Sequence, residues 1–136
     1  MKFNRIYTTG VFDSLHFGHI RLLANSKKIC EHLCVGVSSD ELVMKYKNKK
    51  PLQNLEQRIE VLSAIKYIDS IVIQHDRNNK LNDCIKNNCD CMVVGDDWKG
   101  SKIFAELEIK LKENNISLIY MAYTKGISST IYRNNI

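Results

Sequence analysis

The stretch GVFDSLHFGH, residues 10 to 19, gathers two glycines, an aspartate and two of the chain's four histidines. His16 and His19 are three residues apart, a spacing that lets two side chains point the same way on a helical turn. Gly10 and Gly18 permit tight turns and close backbone approach. A helix starting near Gly18 would offer unpaired N–H groups and the positive end of its dipole to a phosphate. Two imidazoles beside that terminus suit hydrogen bonding to phosphate oxygens and stabilisation of charge on them. A zinc site is less well supported, because apart from Asp13 no Cys, Asp or Glu stands at ligand spacing from the pair. A turn that merely contains histidines is the plainest alternative.

Three other segments carry chemistry. KYKNKK, residues 45 to 50, holds four lysines in six positions; it reads as a solvated loop or as mobile positive charge over a phosphate. In GDDWKG, residues 95 to 100, Asp96 and Asp97 suit a magnesium ion or ribose hydroxyls, or cap the helix that follows. Trp98 is either a lid on the core or a stacking surface. In YTKGISST, residues 123 to 130, Ser128, Ser129 and Thr130 form a hydroxyl cluster at a helix start, again a place for phosphate. There is no G-x-x-x-x-G-K-[ST] loop and no G-x-G-x-x-G, which excludes a P-loop NTPase and weakens a dinucleotide oxidoreductase. No residue stands out as an activated covalent nucleophile. A substrate that brings its own nucleophile, such as a phosphate oxygen attacking a nucleotide α-phosphorus, needs only positioning and charge stabilisation.

Positioning falls to alternating elements. Residues 5 to 9, 33 to 38, 70 to 74, 91 to 94 and 117 to 121 are short apolar runs bounded by polar residues or glycine, and read as strands. Helical patterns cover 19 to 31, 55 to 67, 80 to 87 and 102 to 113, and a short helix is expected after Ser128 and Ser129. Asn54 with Gln57 resembles a capping pair, and Pro51 stops the chain before that helix. This alternation predicts an α/β fold, a Rossmann-like doubly wound parallel five-stranded sheet with helices on both faces, in one domain over residues 1 to 136. Ligands bind outside the carboxyl ends of such strands, and all four loops fall on that edge.

The totals set the frame. A chain of 136 residues with 44% hydrophobic and 26% charged residues is ordinary globular chemistry. The net charge of +5 is compatible with an anionic partner without choosing one. No apolar run approaches the ~20 residues that span a bilayer, and MKFNRIYTTG lacks the apolar core of a secretory signal, so a cytoplasmic protein is expected. The five cysteines are odd in number, and Cys89 and Cys91 form a C-x-C with no second pair; reduced, packing thiols are expected.

GVFDSLHFGH resembles the H-x-G-H signature of the nucleotidyltransferase superfamily, and GISST resembles its second signature. With GDDWKG and YIDSIV, the chain is similar over nearly its whole length to the small bacterial-type glycerol-3-phosphate cytidylyltransferases. The resemblance implies that CTP and glycerol 3-phosphate give CDP-glycerol and pyrophosphate, with magnesium, in a homodimer. It implies a catalytic set of His16, His19, Lys49 and Ser128. The histidines would hold the triphosphate and stabilise the transition state, and Lys49 would reach the CTP phosphates. Val11 and Phe12 would contact the nucleotide through their backbone, beside Thr9, Gly10 and Gly18, with Asp97 near the nucleotide. Thr124, Gly126, Ile127, Ser128, Ser129 and Thr130 would line the triphosphate and base pocket. Lys47 and Lys80 would meet the phosphate of the second substrate, and Asp13 would order the first loop.

Two positions depart from the family pattern. Tyr123 stands where the family carries an arginine, and Lys125 compensates only in part for the lost fork. Lys66 stands for a second arginine, placed with the substrate-binding residues. Weaker or differently arranged triphosphate binding, or a shifted substrate, follows. The same chemistry on choline, ethanolamine or polyol phosphate, or with ATP, is one alternative. A non-catalytic nucleotide- or nucleic-acid-binding module is another, but its lysines have only Tyr46 as a nearby ring, which argues against a nucleic-acid partner. The partners expected are therefore CTP, a small phosphorylated alcohol and a second copy of the chain, with no membrane.

Overall fold

The computed structural model describes residues 3 to 122; the expected last helix and all of Tyr123 to Thr130 lie outside them. Strand β1 (Phe3–Gly10) leads into helix α1 (Phe17–Lys27), and β2 (Cys30–Ser38) into α2 (Asp40–Lys47) and α3 (Leu55–Ser63). Strand β3 (Ser70–Gln74) is followed by a 3-10 turn (Arg77–Asn79) and α4 (Lys80–Lys86). Strand β4 (Cys91–Gly95) is followed by a second 3-10 turn (Asp96–Trp98), α5 (Lys102–Glu113) and β5 (Ser117–Met121).

The five strands pair in the order β3-β2-β1-β4-β5, all parallel. This is the Rossmann-like doubly wound α/β sheet that the strand–helix alternation predicts. The chain winds outward from β1 through β2 to β3, then returns to build β4 and β5 on the other side. That reversal opens a crevice at the carboxyl ends of β1 and β4, the place where such sheets hold ligands.

Strand pleating divides the core in two. Ile6, Leu33, Val35, Val37, Cys91 and Val93 turn to one face and pack with Leu22 and Leu23 of α1 and Leu62 of α3. Tyr7, Cys34, Met92 and Val94 turn to the other, against Cys84 of α4 and Phe104 and Leu111 of α5. Gly36 is obligatory on this second face, because a Cβ there would lie 2.2 Å from the Tyr7 hydroxyl oxygen. All five cysteines are buried and free, as packing thiols should be. No helix among the described residues is long and apolar enough to cross a membrane.

Several boundaries differ from the sequence expectation; helix α3, expected to reach 67, ends at Ser63, where the Ala64 N–H turns back to the Val61 carbonyl. Helix α1 ends at Lys27 rather than 31, and β2 begins at Cys30, because Cys30, His32 and Leu33 already pair with Phe3, Arg5 and Ile6 of β1. Residues 45 to 47 are not loop but the last turn of α2. Ser39 caps that helix by accepting from the Leu42 N–H at 3.1 Å, Asp40 and Glu41 occupy its first turn, and Asn48 closes it in the left-handed region. The Asn54–Gln57 pair forms the expected capping box on α3, with both bonds at 2.9 Å. Helix α5 is capped by Ser101 and not by Asp96 or Asp97.

Candidate active site

His16 ends the loop after β1 as the N-cap of α1, and His19 occupies the third helical position. Each ring accepts from the other's end of the turn. The Gly18 N–H donates to His16 Nδ1 at 3.1 Å, and the His16 N–H donates to His19 Nδ1 at 3.2 Å. This is a capping box made by two imidazoles. An Nδ1 that accepts cannot carry the proton, so both neutral rings are the Nε2–H tautomer. The ring centroids are 4.0 Å apart. Burial lowers the pKa of His16, and burial together with the neighbouring His16 charge brings His19 down to about 4. Two neutral N–H donors thus stand side by side at the switch crevice. The helix start itself is less open than the sequence suggests: the Gly18 and His19 amides are already taken up by His16 Nδ1 and the His16 carbonyl. The imidazoles, more than the helix amides, are the groups able to meet a phosphate.

The loop that carries them is strained and braced. Phe12 and Ser14 both have positive φ, 55° and 59°, a conformation costly for a bulky aromatic residue. Phe12 nevertheless stays there because its ring is buried in the core and meets the His19 ring edge-on at 6.1 Å. The Asp13 carboxylate accepts from the Leu52 and Gln53 N–H groups at 2.8 and 3.0 Å, and the Ser14 N–H donates to Gln53 Oε1 at 3.3 Å. The expected role of Asp13 in ordering this loop thus has a visible partner, the segment before α3.

Arg58 completes the brace. Its side chain is fully buried, yet every nitrogen of the guanidinium donates: to the carbonyls of Gln53, Val11 and Ser38 at 3.0, 2.8 and 2.8 Å, and to Asp40 Oδ1 at 2.6 Å. One side chain therefore ties the histidine loop, the end of β2, the start of α2 and the start of α3. No motif marks it, but a charged residue on the apolar stripe of Leu55, Arg58 and Leu62 is a signal the sequence carries.

The remaining residues divide by position. Thr9 and Gly10 end β1, Val11 follows in the loop, and Gly18 lies with His19 in the first turn of α1. Lys49 is exposed on the segment between α2 and α3, three residues from the Leu52 amide that Asp13 holds. Lys47 is exposed at the end of α2, and Lys80 begins α4 on the carboxyl edge of β3. Asp96 and Asp97 are exposed on the turn after β4, across the crevice from the histidine loop. Trp98 is half-exposed and stacks on Phe104, with centroids 5.2 Å apart. Among the described residues, Lys66 is the one expected site residue that a single chain does not bring to the others. It precedes β3, on the amino edge of the sheet, while the histidines follow the carboxyl end of β1. The open cleft of about 720 Å³ along β3, lined by Ile59, Ser70 and Ile73 among others, is likewise away from the histidines.

A doubly wound parallel sheet with a braced pair of neutral histidines at its switch point, lysines on one side and carboxylates on the other, defines a nucleotidyltransferase. The chain belongs to the cytidylyltransferase-like family, whose model matches residues 7 to 135. A glycerol-3-phosphate cytidylyltransferase of Bacillus subtilis is 35% identical over 93% of this chain and 92% of its own. An FAD synthase of Thermococcus sibiricus is 33% identical over 88% of this chain and 80% of its own. Among solved structures, a lipopolysaccharide core biosynthesis protein from Thermoplasma volcanium superposes with a TM-score of 0.75 at 27% identity, covering 90% of this chain and 99% of that one.

Proposed function

We propose that the protein transfers CMP from CTP to a small phosphorylated alcohol, glycerol 3-phosphate ahead of others. A phosphate oxygen of the alcohol ester attacks the α-phosphorus of CTP in line, the bond from that phosphorus to the β-bridging oxygen breaks, and pyrophosphate leaves. The observation that carries this reading is the reciprocal His16–His19 box. Two neutral Nε2–H donors, preorganised by backbone N–H groups, stabilise charge as it moves onto the leaving pyrophosphate without a proton being lost. Nothing in this scheme needs a protein nucleophile. Lys49 supplies mobile positive charge to the phosphates, and Asp13 and Arg58 hold the loop in register. The 35% identity to the Bacillus subtilis glycerol-3-phosphate cytidylyltransferase supports the same substrates.

Magnesium belongs to this reading. Magnesium in phosphate-transfer sites is held by substrate phosphates and one or two carboxylates. Asp96 and Asp97 are the carboxylates on hand, and the ion would neutralise triphosphate charge. A homodimer, in the cytoplasm, completes the proposal. A second reading, favoured by Tyr123 in place of the family arginine, keeps the chemistry but changes the alcohol phosphate or replaces CTP with ATP.

The test is pyrophosphate release from CTP and from ATP against glycerol 3-phosphate, phosphocholine, phosphoethanolamine and polyol phosphates, with and without magnesium. Release with CTP and glycerol 3-phosphate is expected, lost in His16→Ala by about two to three orders of magnitude in kcat with the fold intact. Silence across the panel, with salt-sensitive oligonucleotide binding instead, would replace the enzyme by a binding module.

A further inference from the structure

Arg77 and Lys80 stand together where the chain leaves the carboxyl end of β3, and both are partly buried. Lys80 Nζ donates to the Arg77 carbonyl at 2.6 Å and lies 5.5 Å over the Phe104 ring. The Arg77 guanidinium lies 4.3 Å over the centroid of Tyr46, on α2. The ion pairs among the described residues are Lys27–Asp69 and Arg58–Asp40, and neither involves these two cations. Asp76 and Asp83 offset the Lys80 charge without forming an ion pair with it, and each also accepts a hydrogen bond from a neutral group. Asp76 Oδ1 accepts from the Asn78 N–H at 2.9 Å, and Asp83 Oδ2 accepts from the Tyr7 hydroxyl at 3.2 Å. Burial, then the Arg77 charge, lowers the pKa of the Lys80 ammonium.

Among the described residues the Arg77 guanidinium, set over an aromatic face, makes no ion pair, so its planar fork can take an anion. The place of the pair says which anion. Two strand spacings, roughly 10 Å, separate the ends of β1 and β3, and the Ser38 hydroxyl spans that gap, 3.3 Å from the Gly10 carbonyl and 3.1 Å from Gln74 Oε1. The cations therefore stand on the same carboxyl edge of the sheet as the histidine turn, two strands over, where a second substrate beside the nucleotide would reach them.

We propose that Arg77 is a specificity-determining residue for the second substrate: its guanidinium, backed by Tyr46, takes the phosphomonoester in a two-pronged contact, with Lys80 as the adjoining charge. The proposal rests on the reaction proposed above and narrows its substrate class. Two cations accept the phosphate ester of an uncharged polyol and disfavour phosphocholine and phosphoethanolamine, whose own cationic group would face them. A guanidinium fork matches a phosphate in a way a lysine cannot.

Two measurements on the full chain test it. In steady-state pyrophosphate release, Arg77→Ala raises the KM for glycerol 3-phosphate by about 10- to 100-fold while the KM for CTP stays within about twofold. Arg77→Lys recovers only part of the loss, and in Arg77→Ala the preference for glycerol 3-phosphate over phosphocholine narrows. In calorimetry with glycerol 3-phosphate alone, affinity falls in Arg77→Ala and less in Tyr46→Ala, which removes only the backing ring. An unchanged KM and affinity in Arg77→Ala overturns the proposal, as does a KM for CTP that rises in step. A wild-type chain that binds glycerol 3-phosphate through Arg77 but releases no pyrophosphate keeps the anion site and ends the reaction reading.

Discussion

With a backbone N–H aimed at Nδ1 of each ring, His16 and His19 are built to stay neutral, and that choice has a cost that varies with pH. In the unfolded chain a histidine titrates near 6.5, whereas folded His19 titrates at about 4. Between those values the unfolded state binds the proton and the native state does not, so stability falls as pH drops from about 6.5 toward about 4 and is unaffected by this group above that window. His19→Asn keeps an oxygen to accept the His16 N–H and removes the titration. Its urea midpoint should therefore fall less steeply over that pH range than the wild type's; identical slopes would mean that His19 is not held neutral. The histidine spacing, Asp13 and the lysine cluster were all readable from residue type. Arg77 was not, because a lone arginine after a strand looks like any solvated cation until Tyr46 is seen beneath it.

At the level of elements, the loop after β1 is held by its neighbours rather than by its own preferences, since two of its residues have positive φ. Removing the Arg58 side chain leaves the buried carbonyl of Ser38 and the part-buried ones of Val11 and Gln53 without their donor and Asp40 without its partner. Arg58→Met should destabilise the protein by about 3 kcal/mol or more by equilibrium unfolding; a loss below about 1 kcal/mol would mean that the carbonyls find other donors. The strands were legible because apolar β-branched runs between polar boundaries have few other uses, and β3 and β5 fall on the expected residues. Helix α2 was not, since its apolar face is only Leu42 and Val43 and a lysine-rich stretch reads as loop. Its signal was Ser39 ahead of Asp40 and Glu41. The second signature, Gly126 to Thr130, together with Tyr123, lies outside the described residues, so that half of the site stands on sequence alone.

At the scale of the whole molecule, the strand order β3-β2-β1-β4-β5 does more than open a crevice. It makes the first three strands a contiguous half-sheet, and the braces on the histidine loop described above, from Asp13 and Ser38 to Gln53 and Arg58, are drawn from residues up to 58. A chain emerging from its N-terminus can therefore assemble the histidine turn and its supports before β4 has been synthesised, and β4 then joins the open edge of β1. In pulse-labelled hydrogen exchange during refolding, the amides of β1 to β3 should become protected ahead of those of β4 and β5; protection gained everywhere at once would mean that the two halves close together. The order of synthesis and the winding of the sheet thus run in the same direction, so the histidine turn is shaped early and the wall across the crevice is added last.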